Sequence, residues 1–510
     1  MDHGAMVERE LKFRLPEGGD PVVVRDAVEA AGFQLESEGT ISHEDRYLDT
    51  EDWVLSRAGL ALRLRRDKER VRLEAKTIRS SRNGDALTRT EWAQQAPEGD
   101  PPWNNLPEGP VTALLEPLTG LRVIPRLRVQ SKVVNDRECF RWLRGRDEIG
   151  LLTVDNVSVP SMAYREVEFE LRNGAEDALG EVLRTVEERL GLTPAVETKL
   201  AVALEAAGVT LPKQDERAFS LAHADRLLDL GHKTLGRHLS RLLWNEAGTR
   251  LGVDAECLHD MRVACRRIRT ALEVLEEAYS DEMRREFSPG FRWLGRALGR
   301  VRDLDVMLHK LETMLPEATA IEEPALRIFA QSLEIRRAHR RRTLVRRLDS
   351  PEYIELIARA ADWVHAGPPS SALVPGGGTA AYTFAPKIVG RWIDAMRQAF
   401  ERAERSMADE DLHVLRIAAK KGRYAIEYFS ELEGPDATRR ARRIAGLQDL
   451  LGAHRDATVL VRRMRKYART VPKKDRELVM GAGSVLGHLE RAARLRRGDL
   501  RAAWEKAIAE

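Results

Sequence analysis

The sequence predicts two domains of different class: an α+β domain dominated by antiparallel strands, then an all-α domain of two pseudo-repeated four-helix units. Three observations carry this. The chain has 510 residues, too many for one hydrophobic core. Most of residues 6–205 fall into short segments that alternate charged and apolar side chains, the period of a strand. From about residue 217 the pattern lengthens into helices, and that half repeats itself at a near-constant offset. The boundaries expected are 1–205 for the strand-rich domain, 206–216 (AAGVTLPKQDE) for a linker and 217–510 for the helical domain.

The strand signals come first. VERELKF at 7–13 places Glu8, Glu10 and Lys12 on one face and Val7, Leu11 and Phe13 on the other, with Arg9 the exception. LRLRR at 62–66, VRLEAKT at 71–77, LTRTEW at 87–92, PRLRVQSKVV at 125–134 and YREVEFELR at 164–172 follow the same alternation. Turn signals separate them, such as Arg82-Asn83-Gly84-Asp85, and a Pro-rich loop runs from Pro97 to Pro110. Helical patterns interrupt at about 21–31 and about 175–190, the second ending at Gly191.

In the second half, Gly236-Arg237-His238 aligns with Gly390-Arg391-Trp392, an offset of 154. His259, Arg262, Arg266, Arg267 and Arg269 align with His413, Arg416, Lys420, Lys421 and Arg423, again at 154. Leu298-Gly299 and Arg302-Asp303 align with Leu451-Gly452 and Arg455-Asp456 at 153, and Leu333-Glu334 and Leu344 with Leu489-Glu490 and Leu500 at 156. The copies expected are about 217–365 and 381–510, joined by the Gly/Pro/Ser loop 366–380.

Bulk properties narrow the function. No run of about 18 apolar residues exists, so no membrane span is expected. The start MDHGAMVERE lacks an apolar signal core, which argues against export. Cys139, Cys257 and Cys265 are few, and the last two are not spaced as a zinc pair, so free thiols in a reducing cytoplasm are expected. The net charge of +3 hides an asymmetry. Residues 1–205 hold 29 Lys+Arg and 38 Asp+Glu, a balance of −9; the remainder holds 55 and 43, a balance of +12. A basic second half suits a polyanion, as it also suits solvated basic helices.

The charged strand faces carry more. Glu8, Glu10 and Lys12 are one set; Arg63 and Arg65, Arg72, Glu74 and Lys76, Arg89 and Glu91, Arg126 and Arg128 with Gln130 and Lys132, and Glu166, Glu168 and Glu170 are others. An ordinary sheet wet on one side fits any single strand. The sum, with arginines and glutamates segregated by strand, fits less well. If the sheet closes with charges inside, each needs a counter-charge or ligand. A hydrated tunnel holding a polyanion and divalent cations satisfies both signs: Arg and Lys bind phosphate oxygens, and carboxylates bind Mg²⁺ or Mn²⁺.

These residues carry a resemblance. Glu8-x-Glu10-x-Lys12 is similar to the ExExK signature of the CYTH family, the triphosphate tunnel metalloenzymes. The match extends in order to Asp45-Arg-Tyr47-Leu-Asp49-Thr50, Arg63-x-Arg65, Glu74-Ala-Lys76-Thr77, Arg89-Thr-Glu91, Arg126-x-Arg128, Asp155, Glu166 to Glu170, and Thr198-Lys199, about 200 residues in all. The resemblance implies an eight-stranded antiparallel tunnel with a central triphosphate site. The second half resembles a CHAD domain, a helical domain named for its histidines, through the two aligned His/Arg sets and the Arg302-Asp303 and Arg455-Asp456 pairs. At 3.6 residues per turn, 259, 262, 266 and 269 share a face, as do 413, 416, 420 and 423. That resemblance implies binding of inorganic polyphosphate, with His238, His259, Arg262, Arg266, Arg269, His413, Arg416, Lys420 and Arg423 as the candidate residues. Salt bridges between helices, and packed histidines, are the structural alternative.

The function expected is a metal-dependent inorganic triphosphatase that splits tripolyphosphate into pyrophosphate and phosphate. Lys12, Arg63, Arg65, Lys76, Arg89, Arg126, Arg128 and Lys199 are the candidate triphosphate contacts. Glu8, Glu10, Glu168 and Glu170, with Glu91, Asp155 and Glu166 as further candidates, are the metal ligands. Of these Glu8, Glu10, Lys76, Glu168 and Glu170 are the catalytic candidates; no general base is identified. The alternatives are a polyphosphate-binding protein with weak or no catalysis, and a CYTH activity on an organic triphosphate, thiamine triphosphatase or adenylate cyclase. An aromatic content of 5% with no stacking platform argues against nucleic acid. The location expected is the cytoplasm, in association with polyphosphate granules.

Overall fold

The computed structural model describes residues 6–68, 70–78, 81–83, 86–172, 176–214, 217–370, 374–472 and 475–509. Residues 1–5 of the start, Gly84 and Asp85 of the expected turn, residue 175 of the expected helix, Asp215 and Glu216 of the linker, and residues 371–373 of the inter-repeat loop lie outside these. The chain divides into two compact units: Met1–Lys213 with Glu246–Cys257, and Gln214–Asn245 with Leu258–Glu510.

The first unit is built on nine strands: β1 (Met6–Arg14), β2 (Gln34–Asp49), β3 (Leu60–Arg66), β4 (Val71–Thr77), β5 (Ser81–Asn83), β6 (Ala86–Gln95), β7 (Arg128–Arg144), β8 (Asp147–Val159) and β9 (Met162–Leu171). All pairings are antiparallel, in the order β1-β9-β8-β7-β2-β3-β4-β6, and β6 bonds back to β1. Eight strands therefore close into a barrel without free edges, and the short β5 adds to β6.

Alternation decides what faces out. Leu11 and Phe13 of β1, Phe140 and Trp142 of β7, Leu152 and Val154 of β8, and Val167 and Phe169 of β9 form one outer core under α1 (Val22–Ala30) and α4 (Glu176–Leu190). Trp142 and Phe13 both meet Phe169 edge-on, with centroids 5.5 and 6.2 Å apart. Replacing Phe169 by Ala in this packing costs about 3–5 kcal/mol. Leu60, Leu62, Leu64, Leu73, Ala75 and Trp92 form a second outer core with α2 (Val54–Arg57), α3 (Pro110–Leu115), and Ala247 and Leu251 of α7 (Glu246–Leu251).

One end of the barrel interior is apolar and filled. Leu200, Ala203 and Leu204 of α5 (Lys199–Ala206) pack against Tyr47, Val133 and Val157. Asp49 accepts backbone N–H bonds from Thr50, Leu55 and Ser56, fixing the turn into α2. Asp49 of the sequence motif thus has a local structural role.

The second unit is helical. Its helices are α6 (Leu227–Trp244), α8 (Ala255–Val274, whose first turn clusters with the barrel unit), α9 (Asp281–Met314), α10 (Glu322–Leu348), α11 (Pro351–His365), α12 (Ala385–Ser406), α13 (Asp409–Glu433), α14 (Pro435–Ala468), α15 (Arg476–Ala492) and α16 (Arg497–Ile508). By the sequence offsets, α6, α8 and α9 correspond to α12, α13 and α14, and the single α10 to α15 with α16. One core joins α6, α8, α11, α12, α13, α16 and the end of α10 with the first halves of α9 and α14; a second joins the far halves of α9 and α14 to the first half of α10 and to α15.

Ion pairs stitch the two copies reciprocally. Arg237 meets Glu431 at 2.6 Å, and Arg391 meets Glu277, its equivalent 154 residues away, at 3.0 Å. Arg267 meets Glu427 at 2.7 Å, and Lys421 pairs with Glu273 in the same relation. The three cysteines are buried free thiols. No described helix is long and apolar enough to cross a membrane.

Candidate active site

With apolar residues outside, the opposite parity of each strand points its charges inward. Register then sets which charges meet: Arg65 lies across from Asp45, Arg63 from Glu74, Lys76 from Glu91, Arg137 from Asp155, and Lys12 from Glu168. Glu8, Glu10, Lys12, Arg63, Arg65, Lys76, Arg89, Glu91, Arg137, Glu168, Glu170 and Lys199 line a cavity of ≈ 90 Å³, with Tyr47 and Thr198.

Two clusters hold it. In the first, Asp45 accepts two 2.8 Å bonds from Arg65 and one of 3.2 Å from Arg63, and Arg63 donates to Glu74 at 3.0 Å. Burial would raise the Asp45 carboxyl, but the two guanidinium groups bring it far below the usual carboxylate range. In the second, Arg137 donates to Asp155 at 2.6 Å through two nitrogens and to Glu168 at 2.7 Å. Lys199 meets Asp155 and Glu168, each at 2.8 Å, and also Glu166. Thr198 caps α5 by accepting the Ala201 N–H, which sets Lys199 at the first helical position, aimed into the lumen. Lys12 is 1% exposed, donates to the Glu197 carbonyl and lies 3.8 Å from Glu166.

Between the clusters, Lys76 pairs with Glu8 and stands 3.5 Å from Glu10, while Arg89 stands 2.8 Å from Glu10. Glu8 and Glu91 share a hydrogen bond and so divide a proton between them. Burial and that bond push Glu91 up to about 7. Burial also works to raise Glu8, but Lys76 and the Glu91 bond bring it down to about 2. Glu170 is pushed up by burial and by the Glu8 charge, and it has no salt bridge among the described residues.

The donors fit a hard divalent ion. All the candidate ligands are carboxylate oxygens, the choice of Mg²⁺ or Mn²⁺ rather than of a thiophilic metal. Asp155, Glu166 and Glu168 offer oxygens within 4.8 Å of one another, although Lys199 and Arg137 already neutralise them. Glu8, Glu10 and Glu170 share the cavity wall, and a divalent ion there would relieve the repulsion that raises Glu170.

Two expected phosphate contacts are not in the lining. Arg126 sits in a 3-10 turn before β7 and pairs with Asp52, and Arg128 donates to the Pro125 and Leu127 carbonyls. Both lie beyond a register shift, where Tyr47 pairs with Ser131 but Leu48 with Val129, and there Leu127 and Val129 pack in the second outer core while Arg128 is exposed at the end of the strand. From Ser131 onward odd positions face in, and Arg137 lines the cavity, whereas Arg126 and Arg128 do not. The usable signal was the apolar pair Phe140 and Trp142, which fixes the parity that charges on both faces conceal. Asp45, Tyr47 and Glu74, quoted in the motif without a role, are also inward, as is the buried His43, whose imidazole burial and Arg65 bring down to about 4.

In the helical unit, Arg262, Arg416 and Lys420 are each lowered by burial and by the charge of Arg266 among their neighbours. Burial and then the charges of Arg266, Arg416 and Arg262 bring Lys420 down to about 7. Arg262 lies 3.8 Å from Asp303 and packs over Gly299. His413 lines a small cleft with Arg416 and Arg455, and burial lowers its imidazole. His259 is half-buried near the start of α8. Arg269 turns to a separate depression with Arg284, Arg285 and Arg292, and Arg423 pairs with Glu427 at 3.5 Å. His238 lines another cavity on α6.

The CYTH domain family model matches residues 6–202, and the CHAD domain family model matches residues 233–465. No curated protein matches the chain. Among solved structures, the CHAD domain from the plant Ricinus communis is 26% identical, covering 57% of this chain and 95% of that one, with a TM-score of 0.48. PptA from Streptomyces chartreusis is 18% identical, covering 55% and 100%, with a TM-score of 0.46. HpAC1 from Hippeastrum, described as revealing a dominant triphosphatase activity, is 19% identical, covering 40% and 98%, with a TM-score of 0.28.

Proposed function

Because this chain carries a CYTH domain followed by a CHAD domain, we propose that it is a metal-dependent inorganic triphosphatase whose helical part binds inorganic polyphosphate. One observation carries the first half. Seven cationic side chains, Lys12, Arg63, Arg65, Lys76, Arg89, Arg137 and Lys199, line the same lumen as the carboxylates of Glu8, Glu10, Glu168 and Glu170. A ligand that exchanges for those internal ion pairs must present many anionic oxygens to the cations and bring cations to the carboxylates. Tripolyphosphate with Mg²⁺ or Mn²⁺ does both.

Water attacks a terminal phosphorus, the bridging P–O bond breaks, pyrophosphate leaves, and a proton is released. Such transfer needs alignment and charge neutralisation more than covalent help. Arg63, Arg65 and Arg137 hold phosphate oxygens as planar forks, and Lys76, Lys199, Lys12 and Arg89 neutralise the developing charge. Glu8, Glu10 and Glu170, with Glu168, would hold the divalent ion, which would supply Lewis-acid polarisation of phosphate oxygens. The apolar plug of α5 closes one end of the lumen against water.

Phosphate release from tripolyphosphate, ATP and thiamine triphosphate, compared in one assay with Mg²⁺ or Mn²⁺, tests this. Tripolyphosphate is expected to turn over fastest. Activity that survives excess chelator, or Glu8→Gln with Glu10→Gln, overturns the site. Faster turnover of ATP or thiamine triphosphate moves the substrate to an organic triphosphate, and no turnover at all leaves a polyphosphate-binding protein.

The cationic group of Arg262, Arg266, Arg416 and Lys420 supports the second half. Long-chain polyphosphate binding by the full chain should fall steeply with salt, as counterions are released from a polyanion. Replacing the four residues together should abolish it. A cytoplasmic location on polyphosphate granules follows from that reading, and fluorescence co-localisation with granules checks it.

A further inference from the structure

The two helical copies agree on the inward face of one helix and part on its solvent face. At the offset of 156, Leu326, Phe329 and Leu333 of α10 correspond to Ala482, Val485 and Leu489 of α15, and all six are buried in the same core. Toward solvent the chemistry diverges. Ile321, at the start of α10, and Ile328 and Ile335 within it are 50%, 44% and 67% exposed. Their equivalents are Glu477, Ser484 and Arg491, also exposed. The fold therefore works with polar residues at these places, and contact with water does not call for three β-branched aliphatic ones.

The three isoleucines recur every seven residues. Single apolar side chains on a surface are ordinary, but a heptad stripe about 21 Å long is the seam of a helix pair. Pro324, Gln331 and Ala338, three residues after each isoleucine, complete an uncharged seam. Charge decides what lies on it. The first turn of α10 carries Glu322 and Glu323, whereas Arg336, Arg340, Arg342 and Arg346 are exposed in its second half. A second α10 laid parallel would set these arginines side by side. Laid antiparallel, each arginine-rich half runs past the acidic start of the other, and the helix dipoles oppose. The register that packs Ile321 on Ala338, Ile328 on Gln331 and Ile335 on Pro324 also brings the exposed Arg327 of each copy beside the exposed Glu334 of the other, twice by symmetry. The pair that Arg327 makes with Glu323, one turn back on its own helix at 2.7 Å, is solvent-exposed and of little strength.

We propose that the solvent face of α10 is a self-association surface, on which a second copy of this chain docks its own α10 antiparallel through Ile321, Ile328 and Ile335. The assignment depends neither on turnover in the barrel nor on polyphosphate binding, so its failure is told apart from theirs.

Sedimentation of the full chain tests it. A dimer is expected at about 10 μM, and Ile328→Asp with Ile335→Asp should convert it to a monomer with unchanged circular dichroism, since both positions are exposed. Arg327→Glu and Glu334→Arg should each raise the dimer Kd about tenfold by setting like charges together, and the two in one chain should restore it. Cross-linking reads the orientation. On oxidation, Ile321→Cys with Ala338→Cys should give disulfide-linked dimers, whereas either substitution alone should not. Dimers linked by Ile321→Cys alone make the pair parallel and overturn the proposal. So does a dimer that survives both aspartates, or charge exchange that fails to restore affinity. A chain that stays monomeric leaves the stripe to a different partner, which overturns it as well.

Discussion

Arg137 grips the Asp155 carboxylate through two parallel bonds of 2.6 Å and reaches Glu168 at 2.7 Å with the same outer nitrogen. Asp155 is fully buried, so this fork, with Lys199, is what keeps its charge compensated. Arg137→Ala should therefore destabilise the barrel unit by about 3 kcal/mol, the consequence of half-orphaning a buried charge. Urea unfolding measures it, and adding Asp155→Asn should recover part of the loss. Tripolyphosphate turnover should also fall, on the order of a hundredfold in kcat, as one fork on the developing charge is lost. A variant as stable and as active as the wild type would remove Arg137 from both roles.

Glu91 sets a pH signature of its own. In the folded chain its carboxyl is raised to about 7 by burial and the Glu8 bond, whereas an unfolded glutamate titrates near 4.3. Between those values the folded state holds a proton that the unfolded state has lost. The group's contribution to stability is full below about 4 and falls away as pH rises to 7, by up to about 3 kcal/mol. Glu91→Gln keeps an N–H donor for Glu8 but cannot ionise. In chelator, wild type should lose stability relative to this variant from pH 4.5 to 7.5, and a difference flat with pH would count against the shared proton. The opposite loss from Glu8, lowered to about 2, lies at more acidic pH and does not overlap.

The swapped pairs between the helical copies are open to a double-mutant cycle. Arg267 and Glu427 meet at 2.7 Å with side chains 19% and 24% exposed. Arg267 also lies over the Tyr424 ring at 4.5 Å. Such a partly buried pair should couple by about 1 kcal/mol. Arg267→Met, Glu427→Gln and the double variant give the value by thermal unfolding. A coupling energy of zero would make the reciprocal pairing a by-product of the repeat.

Legibility in the sequence followed the strength of the local signal. β1, β3, β4 and β9 alternate cleanly, so Glu8, Glu10, Arg63, Arg65, Lys76, Glu168 and Glu170 could be assigned to one face, and that face is the lumen. β7 carries charge on both faces through Lys132, Asp136, Arg137 and Glu138, and a register shift between Val129 and Ser131 breaks its alternation, so charge alone gives neither the place of Arg126 and Arg128 nor that of Arg137. The plug α5 was invisible for another reason. Its eight residues are mostly small and apolar on several sides, because it is buried within the barrel rather than laid on a surface. In the helical half the offset of 154 exposed the repeat, but two aligned copies also hide differences. His238 was grouped with the other histidines, although its counterpart Trp392 already marked the position as one where the copies part.

Lys420 gives polyphosphate binding a pH dependence that an arginine at the same place would not have. Burial and the charges of Arg266, Arg416 and Arg262 bring its ammonium down to about 7. A bound polyanion favours the charged form, so binding should take up a proton at pH 8 and almost none at pH 6. Affinity of the full chain for long-chain polyphosphate at fixed salt should therefore fall between pH 6 and 8. Because the bound form carries the Lys420 charge at both pH values, the salt slope should be nearly the same at pH 8 as at pH 6, by analogy with phosphate contacts in nucleic acids. Lys420→Arg keeps its charge throughout and should hold the pH 6 affinity and slope at pH 8. The stability effect has its own sign: an unfolded lysine keeps its proton to about 10.4, so the repulsion that Lys420 adds to the folded state is full below pH 7 and relieved as pH rises above it. Equal pH dependence in wild type and Lys420→Arg would place the proton elsewhere.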